Sequence, residues 1–311
     1  MNQIKTKNIR VRFIRDFKLN WMCYLMFLPT IAYYIIFSYM PIYGICIAFL
    51  EYRPAIPFFE SEFVGLENFV SYFSGMFFLR NLKNTLMLTS LSLIIEFPIP
   101  IIFALLLNEI TNARFKKVVQ NITYLPHFVS IVVICGILQI FVKSDGVFNK
   151  IFALFDPNWT PVNLLSRTSW FRPLYIGSGI WQGFGWGSIL YLSALSGIDA
   201  ELYEAALMDG ASRWKQTIHI TIPGIMPTIC LMLILKCGGM LSTGSEKIIL
   251  LYNPAIYSVA DTLDTYIFRE GIQGADFSGT AAVGMAIQAV SLAIMMCVNK
   301  ITKKLSGNGL F

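Results

Sequence analysis

Six apolar runs, each about the 20 residues that a helix needs to cross a bilayer core, leave this 311-residue chain few folds to choose from. They cover residues 21–47, 85–107, 122–142, 173–195, 224–243 and 279–298. A backbone in hydrocarbon has no water to bond to, so each N–H and C=O must find its partner inside the protein, and a helix provides that within one segment. The expected fold is all-α: a polytopic membrane protein with six transmembrane helices. Composition agrees, with 56% hydrophobic and 14% charged residues. The fourth and fifth runs are the most interrupted by glycine and polar residues.

Topology follows from Lys and Arg in the short loops. The N-terminal arm, residues 108–121, residues 196–223 and the tail hold fourteen of the 24 basic residues, against nine in the other loops. The first set is therefore expected in the cytoplasm, with both termini inside. The other set carries Glu51, Glu60, Glu62, Glu67, Asp261, Asp264, Glu270 and Asp276, as suits an external face. Residues 1–20 read as a basic cytoplasmic arm, 21–301 as one transmembrane domain and 302–311 as a cytoplasmic tail. No signal-peptide cleavage pattern follows the arm. The basic residues cluster at membrane-facing loop ends, which explains the net charge of +6 without a nucleic-acid partner. The expected location is the plasma membrane of a bacterium, in contact with the lipid bilayer.

Cys23, Cys46, Cys135, Cys230, Cys237 and Cys297 all lie in apolar runs without CxxC spacing, so they read as small hydrophobes. His127 and His219 are far apart and lack ligand neighbours, so no metal site is expected. The external segments "EYRPAIPFFESEFVGLENF" and "FDPNWTPVNLLSRTSWFRP" are rich in aromatics. Two readings stay open for them, anchoring at the membrane interface or docking of an external partner.

Between the fourth and fifth runs lies "EAALMDGASRWKQTIHITIP", charged where its surroundings are apolar. Asp199 can cap a helix over 200–208, with Glu201 and Glu204 in its early turns, where the dipole favours acids. Asp209 and Gly210 supply a turn, and Ser212 can cap a second helix through Trp214, Ile218 and Ile220 until Pro223 opens the next span. Leu202, Ala205 and Ala206 are expected on one side of the first helix. A hairpin lying on lipid would present Lys and Arg. Its first helix is acidic, which favours a protein partner.

The stretch "EAALMDGASRWKQTIHITIPGIMP" resembles the EAA loop of permease subunits of binding-protein-dependent ABC importers. Glu204, Ala205, Ala206, Gly210, Ile220 and Pro223 fall on the pattern, and Asp209, Ala211 and Pro227 match its extensions. "FPIPIIFALLLNEI", "YLPHFVS", "ILLYNPAIYSVADTLDTYIFREG" and "TAAVGMAIQ" extend the likeness to the carbohydrate-uptake group, related to the maltose-type systems. The resemblance implies that the loop at about 199–223 inserts into a groove on a separate ATPase, with Glu204, Ala205, Ala206, Asp209, Gly210, Ala211 and Pro223 at or supporting the contact. It also implies a second, similar permease (a heterodimer), a dimer of ATPase subunits and an extracellular substrate-binding lipoprotein. The chain has no G-x-x-x-x-G-K-[ST] loop, since "GASRWKQT" lacks the second Gly beside the Lys. ATP and magnesium are accordingly expected on the partner, no cofactor on this chain and no catalytic residue in it. The expected function is that of half a translocation path for oligosaccharides or polysaccharide fragments.

Polar groups inside spans tend to face a cavity or a partner. In the fourth run Gln182, Trp186, Ile189 and Ser193 share a stripe, with Trp181 and Tyr191 beside it. Such aromatics and donors can hold a sugar ring, or the glycines and serines pack helices while the tryptophans face lipid. In the fifth run Lys236 lies near the centre, with Met240 and Thr243 continuing its stripe. Glu96, just before a break expected at Pro98 and Pro100, is its one plausible acidic partner. Lys236 then lines the path or closes a structural ion pair with Glu96. An ion-gradient-driven secondary transporter is the alternative function, but that class usually shows an acid network and internal repeats. A membrane-embedded enzyme would need a catalytic cluster that the sequence lacks.

Overall fold

In the computed structural model, residues 16–307 and 309 are described. Residues 1–15 of the expected arm and residues 308, 310 and 311 of the expected tail lie outside them. Five helical segments of the described residues are long and apolar enough to cross a membrane: Trp21–Phe49, Phe78–Asn108, Ile131–Phe155, Arg213–Gly238 and Phe277–Lys304. The first is α1, whose middle widens into a π turn at Ile35–Tyr39 and then tightens to 3-10 geometry at Met40–Phe49. A small hairpin follows, pairing β1 (Leu50–Glu51) with β2 (Glu62–Phe63), Leu50 opposite Phe63. Then come α2 (Glu67–Phe73), α3 (Phe78–Asn108) and α4 (Ala113–Tyr124). Next are α5 (Ile131–Val142), α6 (Val147–Phe155) and α7 (Thr168–Ser196). The chain closes with α8 (Ala200–Met208), α9 (Arg213–Gly238), α10 (Ser245–Leu251), a helical stretch at 263–273 and α11 (Phe277–Ser306). At 29 residues α7 is as long as α1. Its five glycines and Gln182 dilute it, and it is not among the five segments apolar enough to cross.

Three boundaries differ from the sequence expectation. The run at 122–142 is not one helix: α4 ends at Tyr124, a 3-10 turn holds Leu125–Phe128, and Ser130 restarts the chain by accepting from the Val133 N–H at 3.4 Å. Pro126 disfavours continued α geometry before it, and Val129 is extended with ψ 131°. Conversely, the prolines do not end helices where breaks are expected. Pro98 and Pro223 each follow a π turn, Ser92–Glu96 and Thr217–Thr221. A proline clashes with the carbonyl four residues back, here that of Ile94 or His219, and the wide turn moves that carbonyl aside. So α3 passes Pro98 and Pro100, and α9 runs unbroken from Arg213 through Pro223. The third difference is at the far end of α9, which stops at Gly238, so Met240 and Thr243 lie beyond it.

Apolar packing forms separate layers. Leu88 of α3, Cys135 of α5, Phe171 and Leu174 of α7 and Ile248 of α10 make one cluster. Ala104 of α3, Tyr191 and Leu195 of α7 and Ile225 of α9 make another. Both α3 and α7 contribute to the two clusters, and the segments between, around Glu96 and Gly179–Gly183, belong to neither.

Asp261 ties the first of these ends together. Its side chain is fully buried and accepts from Arg80 of α3 at 2.6 Å and from Arg269 at 2.9 and 3.2 Å. The Thr265 hydroxyl adds a bond at 2.9 Å, and the Asn84 amide reaches the Asp261 carbonyl at the same distance. Hydrogen bonding to Asp261 pushes the Arg269 guanidinium still further up, so the guanidinium stays charged. A buried charge deprived of its partner costs several kcal/mol. Asp261→Asn is therefore expected to lower the thermal unfolding midpoint of the detergent-purified protein, by the equivalent of about 3 kcal/mol. Glu51→Gln, which removes only an exposed pair with Arg53, should leave it in place.

Candidate functional site

Between the two clusters lies a cavity of about 520 Å³, lined by α3, α7, α9, α10 and the Gly239–Thr243 turn. A second cavity, of about 290 Å³, shares Glu96, Gly179, Gly183, Leu235 and Lys236 with it. The larger cavity carries three charged side chains, Glu96, Lys236 and Lys247, together with His127, Tyr175, Gln182 and the hydroxyls of Thr89, Ser92, Ser242 and Thr243. The Lys236 Nζ stands 3.6 Å from Glu96 Oε2, with side chains 45% and 27% exposed. Ser92, one turn before Glu96, donates its hydroxyl to the same oxygen. Lys247 Nζ donates to the Tyr175 carbonyl at 2.7 Å and lies 4.5 Å above the Tyr175 ring, whose own hydroxyl donates to the Thr243 carbonyl at 2.7 Å. Gly179 makes this crowding feasible. A Cβ there would lie 2.6 Å from Glu96 Oε1 and 3.3 Å from Lys247 Nζ.

The residues singled out in the sequence divide between this cavity and its surroundings. Gln182, Lys236, Met240 and Thr243 line it. Gln182 also donates to the Val129 carbonyl at 3.3 Å, bracing the break between α4 and α5. Trp186 stacks flat on His127, centroids 4.6 Å apart, and so stiffens one wall from behind. Tyr191 is buried in the apolar cluster beside Ile225 and faces the smaller cavity. Trp181 and Ser193 are exposed and line neither cavity. The stripe read from a 3.6-residue period is thus only partly a cavity face. Sequence reading placed Lys247 in an external loop and gave His127 and Tyr175 no role. The signal for Lys247 was present in "TGSEKIILLY", where Gly, Ser and Glu precede a short apolar run as at a helix start.

The hairpin after α7 is built by local rules. Asp199 caps α8 by accepting from the Glu201 N–H at 3.0 Å, and Ser212 caps α9 by accepting from Lys215 at 3.4 Å. Gly210 takes φ +72°, a left-handed turn that lets the Ala211 N–H reach the Ala206 carbonyl at 2.8 Å. A side-chain hydrogen bond joins α8 to α9, between the Tyr203 and Thr221 hydroxyls at 3.0 Å. Arg213 reaches Glu109 at the end of α3, 3.4 Å away. Leu202, Glu204 and Ala205 are exposed, while Tyr203 and Ala206 are half-buried. Leu207 and Met208 at the end of α8 and Trp214 at the start of α9 are 69%, 88% and 73% exposed, an apolar tip on the hairpin.

Residues 96–306, which hold the hairpin and most of the cavity lining, match the family described as binding-protein-dependent transport system inner membrane component. The chain belongs to that family. It is a membrane transport subunit, a permease of the bacterial inner membrane. The permease is 42% identical over 292 residues to Protein LplB of Bacillus subtilis (strain 168), spanning 94% of this chain and 91% of the relative. It is also 42% identical over 308 residues to the polygalacturonan/rhamnogalacturonan transport system permease protein YteP of Bacillus subtilis (strain 168), spanning 99% and 94%. Among solved structures, a bacterial alginate ABC transporter in complex with an alginate pentasaccharide-bound periplasmic protein has a chain 40% identical to it. The two superpose with a TM-score of 0.87 over 96% of this permease and 100% of that chain.

Gly179 provides a test of the cavity geometry. Gly179→Ala should displace the Glu96 carboxylate, the free end of a flexible side chain, and leave the melting temperature near that of the parent. Transport in the reconstituted importer should fall roughly tenfold, the scale of one lost charge-assisted hydrogen bond. Gly177→Ala, which meets nothing within 4 Å, should alter neither.

Proposed function

We propose that this permease forms half of the translocation path of an ABC importer for oligosaccharides or polysaccharide fragments. In this reading α7 joins the five apolar segments as the sixth span, both termini face the cytoplasm, and residues 21–301 form the transmembrane domain between a basic arm and a short tail. A second, similar permease completes the path. A dimer of separate ATPase subunits carries ATP and magnesium, and an extracellular binding lipoprotein delivers the sugar, as the alginate-bound periplasmic protein of the solved relative suggests.

The observation that carries the reading is mechanical. An exposed helix, α8, leans on a rigid turn at Gly210, and the next helix runs without interruption from that turn to Lys236 in the cavity wall. Force on α8 is thereby delivered to the place where a substrate would sit. The α8 surface has the character of a protein contact: Glu201 and Glu204 for cationic partners, and Leu202, Leu207 and Met208 for an apolar groove. ATPase closure would draw the two paired α8 helices together and open the cavity outward, and hydrolysis would reverse it, a two-state exchange biased at one end.

Co-purification tests this. Glu204→Arg places a cation where the reading needs an acid, and Gly210→Pro demands a φ near −65° where the turn has +72°. Each is expected to reduce the ATPase recovered with an affinity-tagged permease by at least about tenfold. Recovery unchanged in both variants contradicts the proposal.

A further inference from the structure

The charges lining the larger cavity do not cancel. Lys236 and Lys247 bring two cations and Glu96 one anion, and among the described residues no other lining side chain carries a formal charge with His127 neutral. A further acid, Asp264, stands at the turn that ends α9. Its Oδ2 already accepts from the Thr243 N–H at 2.6 Å, the Gly244 N–H at 3.1 Å and the Ser242 and Thr243 hydroxyls, and it does not line the cavity. Charges inside a membrane protein are normally paired, and here one ammonium has no partner of its own.

The donors also have capacity left. An ammonium offers three N–H groups, and Lys247 uses one on the Tyr175 carbonyl while its underside rests on the Tyr175 ring. Lys236 stays 3.6 Å from Glu96 Oε2, beyond hydrogen-bond length, and that oxygen also accepts the Ser92 hydroxyl. Both ammonium groups therefore face the cavity incompletely satisfied, across the narrow Gly179 segment that Glu96 and Lys247 flank. Around them stand the hydroxyls of Thr89, Ser92, Ser242 and Thr243 and the Gln182 amide, groups that can exchange hydrogen bonds with sugar hydroxyls.

We infer that Lys236 and Lys247 form a carboxylate-binding subsite, so that the cavity selects oligosaccharides bearing uronate units over their neutral counterparts. The inference rests on the proposed reading of the chain as an oligosaccharide permease and narrows its substrate class. A uronate carboxylate entering the cavity supplies the missing anion, while Glu96 holds Lys236 in position when the cavity is empty and limits how tightly an acidic sugar is held. The signs of the two effects are opposite, which separates this role from that of a merely structural ion pair.

The test uses the complete importer in proteoliposomes, with oligogalacturonates and oligomannuronates each offered as the free acid and as the methyl ester, which keeps the shape and removes the charge. The binding protein is the same in all variants, so changes in the acid-to-ester uptake ratio report on the permease. The parent should favour the acid. Lys247→Met and Lys236→Met should each lower the ratio roughly tenfold, Lys247→Arg should retain most of it, and Glu96→Gln should hold or raise it. A structural pair would instead make Glu96→Gln and Lys236→Met reduce acid and ester uptake alike. That result overturns the inference, as do esters carried as well as acids by the parent, or uptake of neutral oligosaccharides with neither acid form. Uptake of no oligosaccharide of any kind overturns the proposed function and this inference with it.

Discussion

The constraint on which the rest depends is the cost of holding charge within an apolar chain. Glu96, Lys236 and Lys247 come from three separate helices, and an isolated charge at such a depth would be expelled or neutralised. Their meeting requires space, and the backbone supplies it in several ways. The π turn at Ser92–Glu96 rotates the carboxylate toward α9, Gly179 removes a side chain that would touch Glu96, and the end of α9 at Gly238 lets the chain turn back so that α10 presents Lys247. The apolar clusters around Leu88 and around Ile225 lie on either side, so the polar cavity is bounded by packing on both ends.

The same devices connect the cavity to the surface. A proline in a helix usually marks a joint, yet the π turn before Pro223 preserves the path of α9 and makes one lever of what could have been two pieces. The joint lies at Gly210 instead, with a left-handed backbone that fixes the angle between α8 and α9. At the opposite end Asp261 binds Arg80 and Arg269, fastening α3 to the 263–273 stretch. The helices that carry the cavity charges are therefore anchored at one end and accessible to a partner at the other.

How far the sequence carries depends on the range of the signal. The α8 hairpin is written in neighbours: Asp199 and Ser212 cap, Gly210 turns, and the helices follow within a few residues. The proximity of Glu96 and Lys236 was legible by elimination, since one acid lies well inside a run and a buried cation needs a partner. The Pro98 and Pro223 passages were misread because the rule that proline breaks helices carries no information about a π turn upstream. Lys247 was missed for a different reason. Hydropathy assigns a short charged segment between spans to the loop, and only the three-dimensional return of α10 brings it against Tyr175. Ser193 on the stripe and Trp181 beside it are exposed and line neither cavity, because a helical period puts residues on a face without saying what covers that face.

In the proposed cycle, nucleotide binding on a partner subunit alters the cavity through α8 and α9. Met240 lies at the cavity end of this lever. In a background with the six native cysteines replaced, a cysteine at Met240 can be labelled from outside proteoliposomes by a membrane-impermeant maleimide. The account predicts labelling that is slow without nucleotide and several-fold faster when the ATPases are trapped closed with ATP and vanadate. Equal labelling rates in the two states would contradict it.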